Sequence, residues 1–134
     1  MARQRATYKI FSGAVMTGTN VLVSQVIDTW MIDTAGLEIQ WTGNPVGGGA
    51  AGGFQTEGSI QYDPANNPNA TFVNIAAPAY APAIVNPTGV SNPPSQLVAF
   101  SPTQALPFRY LRLRYTNASG AGVLDVWVNQ TGAS

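Results

Sequence analysis

The chain has 134 residues, six basic and six acidic, with neither cysteine nor histidine. That length fits one domain, which buries roughly two-thirds of its unfolded surface on a single core. The missing residue types exclude disulfides, thiolate nucleophiles, cysteine-type zinc sites and a Ser-His-Asp triad, and a net charge of zero excludes a whole-domain basic field for nucleic acid.

The chain opens with Arg3, Arg5 and Lys9 and no acid among them, whereas the rest sets Arg109, Arg112 and Arg114 against all six acids. Residues 1–9 read as a basic N-terminal arm suited to a negatively charged partner surface. No apolar run of signal-peptide or membrane-span length occurs. Without a signal peptide, the sequons at Asn69, Asn117 and Asn129 read as chance.

Beyond that start, apolar residues recur with a period of two, which predicts strands. Ala6–Phe11 and Val21–Ile27 come first. Asp28 and Asp33 flank Trp30 and suit caps or turns. Leu37, Ile39 and Trp41 share one face, with Glu38 and Gln40 on the other. Gly47–Gly53 reads as a flexible loop, and it lacks the Gly-Lys-Ser/Thr that a phosphate loop needs. Phe54–Tyr62 alternates again, with Glu57 on its polar face. Asp63–Ala70 is a turn cluster without the carboxylate spacing of a calcium loop. After a strand at Thr71–Ile75, residues 76–95 carry five prolines and read as an extended loop lying across the domain or across a neighbour. Tyr80, Ile84 and Val85 suit a buried or contacting arm better than a solvated one. Leu97–Phe100, Phe108–Thr116 and Gly122–Asn129 complete about eight strands. No stretch of ten residues shows a helical period. The expected fold is all-β: a two-sheet, antiparallel, jelly-roll-like sandwich in one domain spanning 1–134.

The last two strands flank Asn117-Ala118-Ser119-Gly120. Folded as a hairpin about the Ala118–Ser119 bond, they would set Leu113 beside Leu124, Leu111 beside Val126, Arg112 beside Asp125 and Tyr110 beside Trp127. In that register Tyr110 and Trp127 lie on the outer face, where aromatic residues suit subunit contacts.

The residues carry little catalytic equipment. Glu38 and Glu57 are the best carboxylate pair for a glycosidase, but both read as solvated strand positions. No catalytic, metal or cofactor site is expected, and no enzyme.

The C-terminal segment LPFRYLRLRYTNASGAGVLDVWVNQTG resembles the closing hairpin of small virion proteins of tailed bacteriophages. LEIQWTGNPVG followed by GSIQYDP resembles the strand–turn–strand before it. Together these segments cover about a third of the chain. The nearest likeness in size and composition is to capsid cement, or decoration, proteins. That resemblance implies a homo-oligomer, dimer or trimer, on the capsid exterior, made in the host cytoplasm and bridging copies of the major capsid protein. It implies neither nucleic acid nor membrane as a partner. Arg3, Arg5 and Lys9 are the candidates for capsid docking. Tyr110, Trp127, Tyr80, Ile84 and Val85 are the candidates for subunit contacts. The alternative is a tail or fibre component that binds a host surface or glycan.

Overall fold

Alternate residues of a pleated strand point to opposite sides, so a strand with apolar residues at every second place buries one face. In the computed structural model those faces meet. It describes residues 3–29, 32–47, 53–75, 81–89, 95–100 and 109–133, and for 3–6, 32, 33, 100 and 133 the backbone path alone. The strands are β1 (Arg3–Thr17), β2 (Val21–Val23), β3 (Ile27–Asp28), β4 (Ile32–Gly43), β5 (Val46–Gly47), β6 (Gly53–Ser59), β7 (Val73–Asn74), β8 (Ser95–Phe100), β9 (Tyr110–Ser119) and β10 (Ala121–Ala133).

Sheet one runs β1-β10-β4-β8, and sheet two β2-β9-β6-β7, with β3 and β5 also on β9. Every pair is antiparallel. β2 and β3 are one interrupted edge strand. Across the interruption Ser24 N donates to the Leu113 carbonyl, and Leu113 N donates to Ser24 Oγ, both at 2.8 Å. With β2–β3 counted as one strand and β5 as a spur, the chain changes sheet at every step except β6 to β7. That is the order of a jelly roll, as the period-two pattern predicted.

The core lies between the sheets. Ile10, Phe11 and Met16 of β1, Leu37, Ile39 and Trp41 of β4, Leu113 and Tyr115 of β9, and Leu124, Val126 and Val128 of β10 form one buried cluster. Each such side chain contributes about 1.5–3 kcal/mol by leaving water. Ile10 and Phe11 are neighbours, yet both are buried. The register of β1 on β10 slips between Lys9 and Phe11 and again between Phe11 and Ala14, and a bulge of this kind turns consecutive side chains inward.

The expected hairpin is not formed. β9 pairs with β6 and β2, β10 pairs with β1 and β4, and the two strands lie in different sheets. Both strands do present Leu113 and Leu124 to one core, but from opposite walls. Arg112 is opposite Glu57, and Asp125 opposite Gln40. A jelly roll joins its last two strands by an arch between sheets, so an apolar face shared by two adjoining strands does not require that they pair. Asn117 fastens this arch. Its Oδ1 accepts from Tyr115 Oη at 2.9 Å, and its Nδ2 donates to the carbonyls of Gly18, Ser119 and Gly120. The Asn117 sequon is therefore sealed, with its amide fully used.

Two further expectations change. Residues 3–9 do not stand off as an arm: they begin β1, with Arg3 opposite Ala133 and Arg5 opposite Thr131. The part of the Pro-rich loop at 81–89 lies on its own domain. Ile84 packs against the core, Pro87 is fully buried, and Asn86 Oδ1 accepts from Phe54 N at 2.9 Å. Tyr80 and residues 48–52 lie outside the described residues.

Candidate functional site

The outer face of sheet one is assembled by register. Lys9, Trp127, Glu38 and Leu97 are partners across β1, β10, β4 and β8. The next row is Thr7, Asn129, Gly36 and Ala99. Between the rows lies a shallow groove of about 390 Å³, walled by Trp127 and Leu97, with Gly36 in its floor and Thr7, Glu38 and Asn129 around it. Leu97 is 83 % exposed, an unusual setting for a leucine in a strand.

The polar groups on this face are oriented. Lys9 Nζ is 3.3 Å from Asp125 Oδ1 and 4.4 Å from the Trp127 ring centroid. Asp125 also accepts from Gly13 N at 2.8 Å, inside the β1 bulge. Thr7 Oγ1 donates to Asn129 Oδ1 at 3.1 Å, and Gln40 Nε2 donates to Glu38 Oε1 at 3.3 Å.

The outer face of sheet two is covered in part by residues 60–75. Tyr62 stacks edge-on to Tyr110 at 4.9 Å and lies 5.3 Å from Phe72. The Arg112 guanidinium sits over Phe72 at 4.4 Å. Beside Arg112, Glu57 is only 4 % exposed, with Arg112 Nε donating to its Oε1 at 2.7 Å and Arg114 Nη1 3.6 Å from its Oε2. Glu57 is thus a buried anchor, not a solvated strand position. Glu38 and Glu57 lie on opposite outer faces of the sandwich, two sheet layers apart, so this pair cannot flank one glycosidic bond.

Asp28 holds Arg109 through two hydrogen bonds of 2.8 Å, which push the guanidinium pKa up. Asp63 accepts from Ala65 N, Asn66 N and Asn66 Nδ2, and these hold its carboxyl below the ordinary range. Both acids have turn or pairing work. Among the described residues no group of three or more acids could hold a metal, and no helix is long and apolar enough to cross a membrane.

The candidates for subunit contact separate. Tyr110 is engaged inside its own molecule. Trp127 is half-buried at the groove. Ile84 faces the core, while Val85 is 59 % exposed, its backbone N–H and carbonyl both gripped by the Gln96 side chain. Of the docking candidates, Lys9 is committed to Asp125 and Trp127, and Arg3 and Arg5 lie at the start of β1.

Sequence reasoning missed the exposed valines beside that strand. Val21 and Val23 of β2 are 44 % and 48 % exposed, opposite Thr116 and Arg114. β1 and β2 end their respective sheets, and Gln25 N donates to the Ile10 carbonyl at 3.3 Å, so one side of the sandwich carries two sheet edges and the exposed valines. The groove was missed too, because its rows join four strands distant in sequence. Comparisons with protein-family models, curated proteins and solved structures find no match.

Proposed function

We propose that the chain is a structural virion protein that binds a bacteriophage capsid from the outside and stabilises it, as a cement or decoration protein. Its partners are the major capsid protein and further copies of itself. One observation carries the reading: Val21 and Val23 stand exposed on β2, which ends sheet two, while Arg3 and Arg5 lie at the far end of β1, the end strand of sheet one. Exposed apolar side chains next to a strand edge invite a protein partner, and the basic residues suit an acidic one. The resemblance of the C-terminal segments supplies the phage context, and jelly rolls recur in viral capsids. Many weak contacts on a repeating shell add through multivalency.

Co-sedimentation with mature capsids that lack the protein tests this, followed by a heat challenge. Binding at fixed stoichiometry with longer survival is the expected result. Val21→Asp with Val23→Asp abolishes it, and Arg3→Ala with Arg5→Ala weakens it, more so at higher salt. A protein that ignores capsids sinks the proposal. The reading as a tail or fibre component that binds a host surface then moves first, and the groove on sheet one favours it.

A further inference from the structure

We infer that the groove beside Trp127 is a binding site for a neutral saccharide. The floor explains why side chains must do the recognising. Its central strands, β10 and β4, are paired on both sides, and β8 ends the sheet. An added peptide strand could pair only along the outer edge of β8, beside the groove and not in its floor. The groove offers instead an indole wall, an exposed leucine, a carboxylate, an amide and a hydroxyl. A pyranose matches this set: its C–H face packs on an aromatic ring, and its hydroxyls both donate and accept.

The existing hydrogen bonds point the same way. Asn129 Oδ1 is taken by Thr7, which leaves its amide N–H groups to donate into the groove. Glu38 Oε1 is taken by Gln40, which leaves Oε2 to accept. Lys9 covers Trp127 but does not line the groove, and its charge is held by Asp125. With a carboxylate and no cation in the lining, a phosphate or an acidic sugar is repelled. The volume of about 390 Å³ falls in the lower part of the roughly 300–1,000 Å³ range of ligand sites, enough for one or two sugar rings.

Gly36 gives a clean test. A Cβ built there meets only the Val98 carbonyl oxygen, at 4.0 Å, and the backbone is not in a conformation reserved for glycine. Gly36→Leu therefore fills the groove while leaving the fold intact, and Trp127→Ala removes its wall. The whole chain, labelled with 15N, is titrated with glucose, galactose, N-acetylglucosamine, maltotriose and chitotriose to about 50 mM, which reaches millimolar dissociation constants. The expected result is a saturable shift at Gly36, Asn129 and the Trp127 indole N–H with at least one sugar. The affinity falls at least tenfold in both variants while their circular dichroism and melting temperature hold. Three results overturn the inference: no saturable shift with any sugar, saturable shifts that Gly36→Leu leaves unchanged, or a Gly36→Leu variant that loses self-association or capsid binding with no sugar bound by the parent. The last identifies the groove as a protein interface.

Discussion

Asn117 accepts one hydrogen bond and donates three, joining the turn at Gly18 to the arch at Ser119 and Gly120. Asn117→Ala strands the Tyr115 hydroxyl and three carbonyls, and is expected to cost about 1–3 kcal/mol in urea unfolding. Tyr115 itself titrates late: burial pushes its pKa up to about 12. The unfolded chain loses this proton near pH 10 and the folded chain keeps it, so the folded state binds more protons between those values. The stability from this group is whole below pH 10 and falls as pH rises toward 12. Urea midpoints measured across that window show the decline, and Tyr115→Phe flattens its share. Glu57 is the residue least legible in the sequence. Alternation correctly assigned it to the outer face, but nothing local announces that Phe72, fifteen residues later, returns to lie over its partner Arg112. Glu57→Ala leaves the part-buried Arg112 unpaired. We expect a loss on the order of 2 kcal/mol, less than the 3–5 kcal/mol of a fully buried pair because Arg114 is half in water.

At the scale of elements, strand periodicity was readable and strand partnership was not. The alternation of β9 and β10 places Leu111, Leu113, Leu124 and Val126 inward, and all four are buried, whereas Asn117, read as part of the turn, is buried too. Yet the neat register of the imagined hairpin, with Arg112 beside Asp125, is satisfied elsewhere: Arg112 finds Glu57, and Asp125 finds Lys9. Charges and apolar faces constrain which side a residue occupies, and several partners meet that demand. Engineered cysteines separate the two pairings. Thr42→Cys with Val123→Cys joins direct neighbours of β4 and β10 and is expected to form a disulfide on mild oxidation. Arg112→Cys with Asp125→Cys joins strands of different sheets and is expected to stay reduced. Gly120, with φ of 75°, lets the arch turn. A side chain there would run into the Asn44 carbonyl, so Gly120→Ala is expected to destabilise even though the position is exposed.

For the whole molecule, composition and period announced a sandwich, while the edge and groove proposed for binding arise only from how the strands assemble. The sequence shows Val21 and Val23, but their exposure on a sheet edge depends on β2 ending sheet two. Gly36, Asn129 and Leu97 become one groove only when three strands align. The ladder between β1 and β10 has a mechanical consequence. Its register runs from Arg3 opposite Ala133 to Thr17 opposite Ala121, so a pull applied at Arg3 and Ala133 acts across the strands at one end of their zip. The hydrogen bonds then open one after another, as a seam does, and not all at once. Stretched through these two points the domain yields at low force.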